Sequence, residues 1–221
     1  LRVAVYYAPA PHDPLWRAAS TWLGRDPETA ATMQQPNVPG IEALTADPRL
    51  YGFHATLKPP MRLATAYDAF IEDAERLAAT IPAFDLPPLA VQDLSGFLAL
   101  RETHSSPELQ ALADACVTQL DQHRAPPDEA ELARRRKNGL PPAQEAMLVR
   151  WGYPHVLDTW FFHMTLTRRL TPEERALVRP AAEMHFAPAL PLPRRVDALT
   201  IFTQATPGAP FLVAERIPLN A

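Results

Sequence analysis

A single cysteine, seven glycines and no long apolar run mark this chain of 221 residues, and each shortage closes off a class of explanation. One thiol, Cys116, makes no internal disulfide. Its place in an apolar helical pattern reads as a buried structural residue. So few glycines leave little material for a backbone phosphate cradle, and no P-loop, dinucleotide fingerprint or G-x-S-x-G elbow occurs. No run of ~18 apolar residues exists, so no membrane helix is expected. Residues 1–9 read as a strand without a basic leader region or cleavage site, and a soluble cytoplasmic protein is the expectation. Charge of one sign is also lacking. A net charge of -4 and a pI of about 6.0 give no broad field for long nucleic acid or anionic membrane. Only Lys58 and Lys137 are lysines; the other basic residues are arginine.

Proline is plentiful at 26 residues, and 47% of the chain is hydrophobic. The prolines stand between apolar periodic segments, which marks a folded chain with stiff connections rather than a disordered one. The length suits one large domain or two small lobes. Strands are expected at 2–8, 52–58, within 84–102, at 160–167, and near 196–204 and 211–217. Helices are expected at 13–23, 66–79, 107–123, 143–151 and 171–185, with one short helix near 41–46. Asp13, Ser106 and Thr171 stand as N-caps, each followed by proline at the first helical position. Pro59-Pro60 is expected to stop the second strand. Two Pro-Pro pairs bracket residues 125–142, a charged segment expected to be an insert or a lid.

One pattern occurs twice. His54-Ala55-Thr56-Leu57 and His163-Met164-Thr165-Leu166 each lead into a helix, then a D/P-L-P string and paired strands. The spacing is too long for a solenoid and suggests two similar α+β units in one chain. Along a strand, residues i and i+2 share a face. His54, Thr56 and Lys58 therefore share one face, and His163, Thr165 and Thr167 share the other motif's. Phe53, Ala55 and Leu57, and Phe162, Met164 and Leu166, form apolar backs.

Two imidazoles near their ordinary pKa of ~6.5 can divide acid and base work. Two threonine hydroxyls can donate to oxygens that gain negative charge, and a lysine adds fixed positive charge. Phosphodiester hydrolysis needs that set and requires no metal.

The paired H-A-T-L and H-M-T-L strings resemble the signature of the two-histidine (2H) phosphoesterase superfamily, which includes cyclic phosphodiesterases and RNA 2′,5′ ligase-like proteins. The strings YYAPAPHDPL, DPRLYGFHATLKPP, LSGFLAL, ELARRRKNGL and RWGYPHVLDTWFFHMTLT resemble one branch, encoded near bacterial phosphonate-degradation genes. The resemblance spans about residues 2–218. It implies an α+β, bilobal fold of duplicated units related to the ferredoxin-like fold, with antiparallel sheets flanking a central cleft and one His-x-Thr strand from each repeat. It implies His54 and His163 as the acid–base pair, and Thr56 and Thr165 as phosphate-oxygen ligands. It implies no cofactor and no metal, and a small cyclic phosphodiester, such as a ribose cyclic phosphate, as substrate.

Three further residues are candidates for substrate binding: Lys58, Tyr6 on the first strand, and Tyr153 just before the second motif. The basic runs Arg134–Lys137 and Arg168-Arg169 read either as solvated surface or as partners for an anionic substrate. His155, Asp158 and His163 have a spacing that zinc tolerates, but the repeat explains His163 better. The expected partner is a small phosphorylated molecule, without membrane or long nucleic acid, acting on a monomer. Two other readings stand beside this one: an enzyme acting on RNA 2′,3′-cyclic phosphate ends, and a non-catalytic module that binds a phosphorylated metabolite.

Overall fold

Cap chemistry starts the helices where the sequence announces them. A computed structural model describes the whole chain, residues 1–221. After β1 (Arg2–Tyr7), α1 (Pro14–Leu23) begins at Asp13, whose carboxylate accepts the Leu15 N–H at 2.8 Å. Gly24 ends it in the left-handed region at φ 82°. The expected short helix near 41–46 is two helices, α2 (Ile41–Leu44) and α3 (Ala46–Tyr51), which share Thr45 at their junction. The first motif strand, β2 (Ala55–Arg62), follows, then α4 (Tyr67–Ala78), β3 (Phe84–Leu86), β4 (Leu89–Asp93) and β5 (Leu98–Glu102).

In the second half, α5 (Pro107–Gln119) is capped by Ser106, and a short 3-10 turn carries the chain to His123. α6 (Glu129–Arg136) lies within the proline-fenced stretch, and α7 (Pro142–Trp151) follows from its closing proline. α6 buries no residue. β6 (Met164–Thr165) is the second motif strand. α8 (Pro172–Phe186) opens with a reciprocal capping box between Thr171 and Glu174. β7 (Arg194–Val196), β8 (Ala198–Gln204) and β9 (Leu212–Pro218) complete the chain.

Seven strands form one antiparallel sheet in the order β4-β5-β6-β2-β1-β8-β9, and β3 pairs with β7 in a separate ribbon. This is the expected α+β class, and the repeat is visible in the pairings. The two motif strands lie side by side, with Ala55 opposite Met164. The two L-P strings meet in the ribbon, where Leu86 faces Arg194. The hairpin of the first repeat, β4–β5, extends the second motif strand. The hairpin of the second repeat, β8–β9, joins β1 beside the first. Each half of the sheet thus takes strands from both repeats, with the motif pair at the seam.

One face of the sheet packs on helices over a core of 40 buried residues, including Val3, Val5, Leu57, Phe70, Leu100 and Cys116. This contiguous apolar face is the main driving force for the arrangement.

Two strand expectations need correction. β2 does not stop at Pro59-Pro60 but continues to Arg62. Its register against β1 slips twice, once between the Val5–Lys58 and Tyr6–Thr56 pairs and once between Val3–Met61 and Val5–Lys58. The prolines stand in the second irregularity, where a missing N–H breaks no regular ladder. The second motif strand is two residues long rather than spanning 160–167. Side chains replace its ladder: the Trp160 indole donates to the Thr56 carbonyl at 2.8 Å, and the Thr167 hydroxyl accepts the Leu98 N–H at 3.0 Å. Trp22, from α1, donates to the Leu166 carbonyl at 3.0 Å. The Trp160 bond crosses to β2, and the other two tie the end of the second motif strand to β5 and α1.

Candidate active site

Because the two motif strands run antiparallel about Ala55 and Met164, His54 stands opposite Thr165 and Thr56 opposite His163. The two imidazoles and two hydroxyls form a diagonal set on one sheet face. All four line a single cavity of about 380 Å³.

The imidazoles are anchored in the same way. His54 Nδ1 lies 2.8 Å from the Gly52 carbonyl, and His163 Nδ1 lies 3.1 Å from the Phe161 carbonyl. A carbonyl can only accept, so Nδ1 carries the proton in each ring and Nε2 keeps its lone pair. Aromatic rings fix each imidazole plane. Tyr6 stacks on His54 with centroids 3.6 Å apart and planes at 16°, and Phe161 stacks on His163 at 4.6 Å and 27°. Burial lowers the His54 pKa to about 4, against a smaller upward pull from the Gly52 hydrogen bond. Burial also lowers His163, and the charges of His155 and Arg101 push the same way. Both rings are neutral at neutral pH. An anion between them favours the protonated form of either ring.

Gly52 has a backbone role in this geometry. Its φ of 78° and ψ of 172° are glycine-only values, and a Cβ there would lie 2.9 Å from Pro27 Cγ. Glycine at this point lets the chain turn so that its carbonyl meets the His54 ring.

Of the three substrate-binding candidates, Tyr6 and Tyr153 line the cavity. The Tyr6 hydroxyl is buried and has no hydrogen-bond partner, which marks it for a ligand. Burial raises its pKa well above the ordinary value, so it remains a donor. The Arg135 guanidinium carbon lies 4.4 Å from the centre of the Tyr153 ring.

Lys58 is a correction. It does not face the cavity but is buried on the helix side, donating to the Val117 carbonyl at 2.9 Å and to Asp121 at 3.3 Å. The reason is the slip between Thr56 and Lys58, which places the extra residue Leu57 in the strand. Alternation fails there, and Leu57 and Lys58 are both buried. Burial lowers the Lys58 pKa to about 8, partly offset by Asp121.

Arginines supply the positive charge that the lysine does not. Arg2, Arg135, Arg168 and Arg169 line the cavity, with Asp47 as the acidic counterpart. Within the Arg134–Lys137 run, Arg135 alone lines it, while Arg136 pairs with Glu145. Arg168 lies against the cavity but makes a two-pronged contact with Glu174. Sequence reasoning missed Tyr51 and Phe97 as lining residues. Arg2 also lines the cavity, and its i, i+4 spacing from Tyr6 puts the two on one face of β1, a signal the sequence carries. His155 lines an adjoining chamber, and no group of three His, Cys, Asp or Glu side chains is arranged to hold a metal ion.

Fold and site together define an α+β chain with duplicated His-x-Thr motifs paired at the seam of one sheet, the pattern by which the chain resembles the two-histidine phosphoesterases. A model of proteins of unknown function, DUF1045, matches residues 56–212, and the chain belongs to that family. Among curated proteins, one named ribose 1,5-bisphosphate phosphokinase PhnN from Janthinobacterium sp. (strain Marseille) is 43% identical over 99% of this chain and 51% of its own length. A protein of the same name from Laribacter hongkongensis (strain HLHK9) is 36% identical over 98% of this chain and 52% of its own. The chain spans about half the length of the curated relatives it matches. Among solved structures, a phosphoesterase is 13% identical with a TM-score of 0.46, covering 100% of this chain and 99% of that one. E. coli LigT complexed with 3′-AMP is 13% identical with a TM-score of 0.44, covering 100% and 98%.

Proposed function

We propose that this chain is a metal-independent phosphoesterase that opens a cyclic phosphodiester on a small phosphorylated ribose. The observation that carries the reading is the matched anchoring of two imidazoles, each with Nδ1 on the carbonyl two residues back and Nε2 without a protein partner, across one arginine-lined cavity.

In that reading, Nε2 of one histidine accepts a proton from water as its oxygen attacks phosphorus. The bond from phosphorus to one ribose oxygen breaks. The other histidine, charged by the proximity of the anion, protonates that oxygen, so a cyclic diester and water become a phosphomonoester with a free hydroxyl. The near-symmetry of the pair lets either ring take either role, according to how the ring oxygens lie. Thr56 and Thr165 donate to the non-bridging oxygens, and the Tyr6 hydroxyl is a third donor. The arginines hold the negative charge of the substrate.

Two further observations support a sugar phosphate over an RNA end. The cavity volume of about 380 Å³ suits a small molecule, and the chain carries a net charge of -4. The curated relatives bear a name for action on ribose 1,5-bisphosphate, which supports phosphorylated ribose as the substrate class. The resemblance to the phosphonate-associated branch supports a role in phosphonate degradation, and in this reading the protein acts as a monomer on a small soluble substrate in the cytoplasm.

The test is phosphorus NMR of ribose 1,2- and 2,3-cyclic phosphates incubated with the protein in excess chelator. Conversion of the cyclic diester signal into a monoester is expected. Persistence of every cyclic diester, or turnover that the chelator abolishes, would overturn the proposal.

A further inference from the structure

Past His163 the cleft opens into a second chamber of about 660 Å³, which shares Thr56, Phe97, Tyr153, His163 and Arg169 with the main cavity. Its own walls include Arg101 on β5, Gln144 on α7, and His155, Trp160 and Phe161 on the approach to the second motif. We propose that this chamber is a second anion subsite, which takes a non-reacting phosphomonoester of the substrate while the cyclic diester lies between His54 and His163. The proposal rests on the phosphoesterase reading above and extends it to the substrate's second phosphate.

Placement comes first. Ala99 pairs with Thr165, and Arg101 lies two residues along β5 on the same face. Its guanidinium therefore stands beside the second motif. One end is held by Glu102 at 3.1 Å, and the group lies over Phe161 with its carbon 5.4 Å from the ring centre. The remaining Nε is buried without a partner, and so is Nδ1 of His155 across the chamber. Native proteins rarely leave buried polar groups unmatched, and two such atoms on opposite sides of one chamber mark a place for a ligand.

Charge decides what the ligand is. Arg101 and Arg169 line the chamber and no acidic side chain does. A phosphate gains from both cations, through charge-assisted hydrogen bonds. A nucleobase would need an open aromatic face, and two of the rings in the chamber are already engaged. Phe161 lies between His163 and Arg101, and Tyr153 carries Arg135 on its ring and His155 at its edge. The Trp160 indole is tied to the Thr56 carbonyl. The Arg101 Nε and the His155 Nδ1 are left free for a ligand's polar atoms. Gln144 comes from α7 and His155 from the loop after it, both beyond the proline-fenced segment.

The experiment measures kcat/KM for ribose 1,2- and 2,3-cyclic phosphates, each with and without a 5-phosphate, in wild type, Arg101→Ala and Arg101→Lys. The expected result is a preference of about tenfold or more for the 5-phosphorylated compound, expressed mainly in KM, as one or two charge-assisted hydrogen bonds give. Arg101→Ala should collapse that preference and Arg101→Lys should restore part of it. A folding or catalytic defect lowers both substrates alike and leaves the ratio untouched, so an unchanged ratio in Arg101→Ala overturns the subsite while turnover keeps the reading of the His pair. If no cyclic phosphate is turned over, the phosphoesterase reading fails on its own. Calorimetry with ribose 5-phosphate then judges the chamber: weaker binding to Arg101→Ala than to wild type supports it, and equal affinity overturns it.

Discussion

Replacing His54 by phenylalanine should flatten the acid side of the stability profile. The ring is half-buried under Tyr6, and burial lowers its pKa from the ordinary 6.5 to about 4. The folded state therefore refuses a proton that the unfolded chain accepts between about pH 6.5 and about pH 4. Stability from this group is complete above about pH 6.5 and is lost as the pH falls toward about 4. The full shift corresponds to about 3 kcal/mol, and the part expressed between about pH 7 and about pH 4.5 is about 2 kcal/mol. Water in the cavity reaches one edge of the ring and trims this to about 1–2 kcal/mol. His54→Phe keeps an aromatic ring against Tyr6 and removes the titration. It also frees the Gly52 carbonyl, a loss that does not vary with pH. Carboxylates with lowered pKa values, such as Asp73 and Glu174, also lose stability in acid, but they are common to both proteins and cancel in the difference. Urea denaturation of both proteins at several pH values between about 4.5 and 7.5 reads the effect. The gap between them should change by about 1–2 kcal/mol across that range, with the wild type losing ground in acid. Parallel curves would show that His54 does not sit in the environment described.

Three other outcomes follow from the same geometry. Gly52→Ala should destabilise the protein by about 1–3 kcal/mol in chemical denaturation, because its backbone is in a glycine-only region, and should cut activity by displacing the carbonyl that orients His54. Tyr6→Phe keeps the stacked ring but removes the orphaned hydroxyl, so a fall in kcat/KM of about tenfold or more is expected with the thermal midpoint unchanged or raised; equal activity would remove Tyr6 from the site. Cys116 is fully buried with its thiol pushed up to about 12, so a thiol reagent at about pH 8 should react slowly until denaturant unfolds the chain.

The parts of this structure that were legible in the sequence are those written in local chemistry. Asp13, Ser106 and Thr171 fixed three helix starts, because a side-chain oxygen before a proline-led apolar run has one good use. The recurrence of His-x-Thr with an apolar back pointed to two matching strands, and their side-by-side pairing brings all four motif side chains into one cavity. Lys58 went astray because strand alternation assumes an unbroken ladder, and nothing in G-F-H-A-T-L-K announces that Leu57 is an extra residue against β1. Pro59-Pro60 was legible as an interruption but not as one that a sheet can absorb. The exchange of hairpins between the two repeats, and the approach of Arg101 and Arg135 to the cleft, depend on long-range packing that no local window contains. Arginine in this sequence is common enough that no single one stands out.

The central claim is that His54 and His163 act as one acid–base unit, and the most direct measurement compares His54→Ala, His163→Ala and the double variant on a ribose cyclic phosphate with chelator present. Groups that act as a unit lose nearly everything when either is removed. Each single variant should therefore lose about a thousandfold or more in kcat/KM, and the double variant should be little worse than either. Near wild-type turnover in either single variant, with the fold intact by circular dichroism, would contradict the account.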